Sequence, residues 1–224
     1  MTVVDAEQAP ADAGALDRSF WALLARRIGG SFVVDEWGRD EDLLAVLAPL
    51  ARLVRPTVVE GSELVPELGP ALVVHDHRFE PAASLAVAVA LGAATGRPVR
   101  FGGVPDVAPL GPLLRRLGGV ATQLDDLRSL LRSGEVVVVS FGVDLRHPTG
   151  VGRPDPGVLG VALEAAAPVV PVAVRGVPPA PVRHVAVGRA IGTRHRRAVL
   201  DTAELAATTM TRVAELRAAA RPRP

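Results

Sequence analysis

The sequence predicts an α/β fold, in which a mostly parallel sheet is flanked by helices and preceded by an N-terminal helical segment. From residue 57 onward, short runs of apolar and β-branched residues alternate with helical segments. That alternation is typical of a parallel sheet with helices on both faces. The run Val136–Val139 is apolar without interruption, as expected for a central strand that is covered on both sides.

Periodicity and breaker residues give the elements in order. Residues 1–14 are polar, Ala-rich and aperiodic, and we expect a flexible tail followed by one domain over residues 15–224. That domain divides into N-terminal helices, an α/β core and a C-terminal helix, at residues 15–55, 56–200 and 201–224. Helical spacing of apolar residues predicts helices over Asp17–Arg27 and about Asp40–Leu53 in the first part.

In the core, glycines after the apolar segments mark the expected helix ends, and Pro81 suits the first position of a helix. The predicted strands are Thr57–Glu60, Ala71–Val74, Val99–Phe101, Val136–Val139, Val169–Val174 and Val182–Gly188. The predicted helices are Pro81–Thr95, Leu110–Leu117, Asp125–Ser133, Gly157–Ala167 and Thr202–Ala220.

Composition excludes several classes of function. The chain has 224 residues, a formal net charge of +1 and no cysteine. Nucleic acid is therefore not expected as a partner, and disulfides and Cys-ligated metal sites are excluded.

No secretory signal pattern is present, and no apolar run reaches the roughly 20 residues of a membrane span. We expect a cytoplasmic protein whose membrane contact, if it has any, is peripheral. The sequence does not indicate an oligomeric state.

The strongest candidate site is the segment ALVVHDHRFEP, which leaves a buried strand and enters a helix. It brings together His75, Asp76, His77, Arg78 and Glu80. A neutral imidazole there can remove a proton from an alcohol while a carboxylate orients the ring. The alternative is a polar loop that caps a helix. His-x-His can bind zinc, but no third ligand lies nearby in the sequence, so no metal is expected.

Two other segments are weaker candidates. VVVVSFGVDLRHP also leaves a central strand, and Arg146 in it can bind a phosphate or carboxylate with two hydrogen bonds, unless the segment is an ordinary surface loop. FGGVPDVAPLGPLLRRLGG can lie along lipid or an acyl chain. The alternative is ordinary packing with Arg115 and Arg116 toward solvent.

Taken in order, these segments resemble the glycerolipid acyltransferase family that includes the bacterial lysophosphatidic acid acyltransferases. Residues 58–77, 104–120, 135–146, 167–174 and 185–192 resemble the family's successive blocks. The family's His-x4-Asp motif maps its His onto His77, and Ala82 stands at its Asp position. A shifted register gives His75-x4-Glu80. In the third block, written Phe-Pro-Glu-Gly-Thr-Arg in the family, Phe141 and Arg146 match.

The resemblance implies an O-acyltransferase of lipid metabolism. It would move a fatty acyl group from acyl-CoA or acyl-carrier protein, as donor substrate and with no cofactor, to a hydroxyl of a glycerolipid or related acceptor. His77, or His75 in the shifted register, would be the base. Glu80 or Asp76 would orient it.

The resemblance also implies acceptor contact by Arg146. Further substrate-binding candidates are Arg78, Phe141 and Pro171, which the fourth block retains. The departures from the motifs leave an alternative, in which a catalytically inactive relative keeps the lipid groove as a binding or scaffolding module.

Overall fold

The structure is a computed structural model, and it describes Trp21, Ala25 and residues 34–54, 56–76, 83–105, 108–121, 123–141, 154–176, 182–193 and 201–219. The helices whose bounds lie within these ranges are α1 (Glu41–Val54), α2 (Ala83–Thr95), α3 (Leu110–Arg116), α4 (Leu124–Arg132), α5 (Pro156–Glu164) and α6 (Asp201–Ala219). Its strands are β1 (Thr57–Glu60), β2 (Ala71–His75), β3 (Val99–Gly102), β4 (Gly119–Val120), β5 (Val136–Ser140), β6 (Val169–Arg175) and β7 (Arg183–Val187).

The strands form one seven-stranded sheet in the order β1-β7-β6-β2-β5-β3-β4, so β2 is the middle strand. β2 pairs in parallel with β5 and β6, and β3 pairs in parallel with β5 and β4. β7 is antiparallel to β6 and parallel to β1. Five neighbouring strands therefore run in one direction, and their carboxyl ends meet at one edge of the sheet, which we call the carboxyl edge.

Each face of the sheet carries its own apolar core. On one face, Val73 and Val138 pack with Val87 and Leu91 of α2, and we call this the α2 face. On the other, Leu72 and Val74 pack with side chains of α4, α5 and α6, among them Leu130, Leu159 and Leu205, and we call this the α6 face. Burial on both faces is what the continuous Val runs of the central strands favour.

Local chemistry explains where two of the helices begin. Asp40 is buried, and its Oδ1 accepts a hydrogen bond of 2.9 Å from the backbone N–H of Leu43 at the start of α1. Asp155 does the same at the start of α5, where its Oδ1 accepts from Gly157 N at 2.7 Å and Pro156 follows it. Both are N-caps that satisfy backbone donors of a first helical turn.

The predicted fold class is confirmed. Each predicted core strand has a counterpart whose ends agree to within one residue, and the α2 helix agrees from Ala83 onward, because residues 77–82 lie outside the described part. Trp21 and Ala25 are helical, and the rest of the first predicted helix also lies outside it. Among the described residues, none of the helices combines the length and the apolar character that crossing a membrane requires.

The strand β4 was not predicted from the sequence. Gly118 and Gly119 predict the end of a helix, whereas Gly119 and Val120 pair with β3. A Cβ on Gly119 would overlap Cγ2 of Val104 and would lie 2.8 Å from the Leu114 carbonyl oxygen. The missing side chain therefore permits a close approach of β4 to its neighbours. A strand of two residues is too short to be recognised from the sequence.

Candidate functional site

The carboxyl end of β2 lies at the middle of the carboxyl edge. His75 is the last residue of β2, in register with Ser140 of β5 and Val172 of β6. The backbone N–H of Phe141 donates to the His75 carbonyl oxygen at 2.8 Å. Parallel α/β sheets bind their ligands in crevices at this edge. The segment predicted to hold the site leaves the sheet at its middle strand, and so it begins at the edge where such ligands bind.

The His75 imidazole is completely buried on the α2 face, and both of its nitrogens have partners. Nε2 lies 2.9 Å from Oγ of Ser84, near the start of α2, and Nδ1 lies 3.2 Å from the carbonyl oxygen of Asp76. A carbonyl only accepts, so we assign the proton to Nδ1. In a neutral ring, Nε2 then accepts from the Ser84 hydroxyl. Hydrogen bonds at both nitrogens thus hold the His75 ring between a strand and a helix.

Asp76 turns its carboxylate to the opposite face of the sheet. Its side chain is 2% exposed, Oδ2 lies 2.7 Å from Nη1 of Arg217, and Oδ1 accepts from the backbone N–H of Val174 at 3.3 Å. Successive side chains at a strand point to opposite faces. The structure therefore differs from the expectation that the Asp76 carboxylate orients His75, because the backbone oxygen of Asp76 makes the contact with that ring.

The remaining predicted site residues divide into two groups. His77, Arg78, Glu80 and Arg146 lie outside the described residues. Phe141 and Pro171 are described, and both are buried.

The two buried residues differ in what they contact. Phe141 belongs to the core of the α6 face, although it also lines the cavity described next. Pro171 lies within β6, and its carbonyl oxygen accepts from Gly188 N at 2.8 Å. Pro171 therefore lies inside the sheet, where its carbonyl oxygen holds the first residue after β7 by a hydrogen bond.

A cavity of about 260 Å³ opens beside the carboxyl ends of β2, β3 and β5. Its walls are mostly apolar, with two polar side chains among the lining residues Val74, Gly102, Gly103, Val139, Ser140, Phe141, Pro154, Asp155, Val158 and Leu159. Gly103 has a φ of +90°, so the chain turns away from β3 and leaves that wall without a side chain. The volume is slightly below the ~300–1,000 Å³ of typical small-molecule sites.

Two residues that contact the candidate segment were not predicted from the sequence. Ser84 is a polar residue at the start of the otherwise apolar α2, which is a weak signal for a buried hydrogen bond. Arg217 follows Leu205, Thr209 and Val213 at intervals of four residues, so it continues the buried stripe of α6. Within the ranges that the structure describes, no group of three His, Asp or Glu side chains is placed to hold a metal ion.

Comparison with solved structures finds a similar fold in the crystal structure of the 1-acyl-sn-glycerophosphate (LPA) acyltransferase PlsC from Thermotoga maritima. The TM-score is 0.59, the sequences are 18% identical, and the match covers 82% of this chain and 83% of that chain. No family model matches the chain, and no curated protein matches it in sequence. The resemblance inferred from the motifs is thus confirmed as a likeness of fold: the chain has the fold of that acyltransferase.

Proposed function

We propose that the chain is an O-acyltransferase that moves a fatty acyl group from acyl-CoA or acyl-carrier protein to a hydroxyl of a glycerolipid or related acceptor. The observation that carries the proposal is the fold shared with an LPA acyltransferase, with a His-containing segment leaving the middle strand at the carboxyl edge. His77 is the base in this proposal, because both ring nitrogens of His75 are already hydrogen-bonded.

The proposed chemistry needs one proton acceptor and no cofactor. The imidazole of His77 takes the proton of the acceptor hydroxyl, whose oxygen attacks the thioester carbonyl carbon. A C–O bond forms, the C–S bond breaks, and the proton passes to the departing thiolate. Glu80 orients the ring, since the Asp76 carboxylate already pairs with Arg217, and Arg146 contacts the acceptor. The apolar cavity beside Val139 and Leu159 supports the proposal, because it offers room for part of an acyl chain.

The test is incubation of the purified chain with acyl-CoA and a panel of lipid and alcohol acceptors, followed by mass spectrometry of the products. We expect wild-type turnover and a loss of about 10²–10⁴ in kcat for His77→Ala, the usual contribution of a general base. His184→Ala is the matched control, because His184 is exposed on β7 and the strand β6 lies between β7 and β2. Absence of turnover, or equal rates for the two variants, would overturn the proposal.

A second candidate function is lipid binding without catalysis. It is favoured by the burial of His75, whose hydrogen bonds with Ser84 and with the Asp76 backbone hold it as a structural residue. On this alternative the cavity holds an apolar chain and no bond is made or broken. Native mass spectrometry of the purified protein would then show retained lipid in a preparation without transferase activity.

Filling the cavity tests the binding alternative further. Val158 lines the cavity and is 7% exposed, so Val158→Phe is expected to lower the retained lipid. Val34→Phe, at a position that is 44% exposed, is the control. Equal lipid retention in both variants would place the lipid elsewhere.

A further inference from the structure

The helix α6 presents one continuous stripe to the sheet. Leu205, Thr209 and Val213 are completely buried at intervals of four residues, and Arg217 follows at the same interval. Residues at this spacing lie on one face of a helix. The first and third pack into the core of the α6 face. Arg217 therefore faces the sheet as well, and its side chain is 22% exposed.

The stripe ends on the residue that follows β2. Asp76 lies on the α6 face because it alternates with His75, and its carboxylate meets Nη1 of Arg217 at 2.7 Å and the backbone N–H of Val174 at 3.3 Å. A carboxylate that is 2% exposed stays ionised only if charged or hydrogen-bonding groups replace water. Removal of one member of such a pair leaves the other charge uncompensated.

The chain is thus held on both faces at the point where it leaves β2. On the α2 face, His75 bonds with Ser84, and on the α6 face, Asp76 pairs with Arg217. We propose that Arg217 is a positioning residue, which acts through Asp76 to fix the exit of β2 and hence the segment that carries His77. This inference rests on the proposed function for its effect on activity, and its structural part is testable without it.

Hydrogen exchange at Val174 tests the structural part directly. Arg217→Gln releases Asp76, the acceptor of the Val174 N–H, so we expect that amide to exchange about tenfold faster, the value of one hydrogen bond to a charged group. Arg217→Lys keeps the charge and should restore part of the protection. The strand β5 serves as the internal reference, since a general loss of stability would speed its exchange equally.

The matched control is Arg212→Gln on the same helix. Arg212 pairs with Glu215 at 3.1 Å, and both side chains are more than half exposed. We expect no change at Val174 in this variant. Unchanged exchange at Val174 in Arg217→Gln, or faster exchange that extends equally to β5, would overturn the proposal.

Activity supplies the second readout. We expect Arg217→Gln to lower kcat by about ten- to a hundredfold, because a displacement of about 1 Å at a reacting group has effects of this size, and to leave KM for the acyl donor unchanged. Arg217→Lys should recover part of kcat, and Arg212→Gln should equal wild type. Equal kcat for Arg217→Gln and wild type would overturn the positioning role. If wild type shows no turnover, the proposed function fails, and exchange at Val174 alone decides the inference.

Discussion

Arginine side chains contact carboxylates or carbonyl oxygens both at the carboxyl edge and at the opposite edge, where the parallel strands begin. Their roles at the two edges differ. At the edge where the parallel strands begin, Arg97 donates to the carbonyl oxygens of Pro66, Gly69 and Gly134, the last two at 2.8 and 3.3 Å. These carbonyls belong to the segments that precede β2 and β5. Arg97 itself precedes β3, so a single guanidinium connects the segments that lead into three strands. It can do so because it has five donors in a rigid fork.

A second arginine extends this arrangement. Arg100, near the start of β3, is 2% exposed and pairs with Asp35, ahead of α1, and with Glu135, ahead of β5. At the carboxyl edge, by contrast, Arg217 meets the carboxylate of Asp76, at the root of the candidate site. Buried charge at the first edge therefore connects segments of the fold, whereas at the second it holds the exit of one strand. We expect the first edge to affect stability alone and the second to affect activity as well.

The largest expected effect on stability is that of Arg100→Gln. This change removes the buried cation from between two carboxylates. We expect it to lower the free energy of unfolding by about 2–4 kcal/mol, somewhat less than for a fully buried pair, because Asp35 and Glu135 remain 36% and 23% exposed to water. Urea denaturation followed by circular dichroism measures the loss.

The matched control is Arg128→Gln, since Arg128 also pairs with two carboxylates, those of Asp125 and Glu164, but on the partly exposed surface of α4. Exposed pairs contribute little, so the control should lose much less stability. Equal losses in both variants would contradict the special role given to the strand entrances.

A smaller effect is expected for Ser84→Ala. The variant removes the partner of Nε2 of the buried His75, which should cost about 1–3 kcal/mol in the free energy of unfolding because a buried nitrogen is left without a hydrogen bond. The measurement is again urea denaturation, with Ser129→Ala on the exposed face of α4 as the control. A Ser84→Ala protein as stable as the control would show that the His75–Ser84 hydrogen bond does not hold the exit of β2.

The smallest effect concerns pH and Asp35. Burial by itself raises the pKa of this carboxyl group, but the backbone N–H of Arg39 and the guanidinium of Arg100 outweigh burial and hold the pKa below its ordinary value of 3.8. Because the pKa is lower in the folded state than in the unfolded chain, the ionised carboxylate stabilises the fold at pH values above 3.8. This contribution disappears as the pH falls through the folded-state pKa. Asp35→Asn should therefore cost less than about 1 kcal/mol at pH 7, since the side chain is partly exposed, and nothing in strong acid.

Denaturation curves at pH 7 and below pH 3 check this prediction. In the Arg100→Gln background, Asp35→Asn should cost less at pH 7 than in the wild-type background, because the two residues interact. A cost that does not change with pH would contradict it.

The sequence predicts the fold better than the site for physical reasons. Continuous apolar runs such as Val136–Val139 require burial on both faces, so strand positions and fold class follow from the sequence alone. The opposite direction of β7 was not predicted, although the short connection from Arg175 to Arg183 is a signal for it, since parallel neighbours need a crossover of a dozen or more residues.

The candidate site depends on contacts that are distant in the sequence. His75 and Asp76 were predicted because polar residues follow an apolar strand, but their partners Ser84 and Arg217 lie on helices that pack on opposite faces. A carboxylate next to a histidine in the sequence is therefore a poor guide to its partner when both stand at the end of a strand. Only the order of the strands and the packing of the helices identify which groups meet.

One measurement tests the difference between the two edges most directly: the rate of acyl transfer per folded molecule in His77→Ala and Arg100→Gln, with the urea midpoint of each. We predict that His77→Ala loses the rate of acyl transfer and keeps the wild-type midpoint, whereas Arg100→Gln lowers the midpoint and keeps the rate. A His77→Ala protein that transfers acyl groups at the wild-type rate, or a folded Arg100→Gln protein slowed as much as His77→Ala, would contradict it.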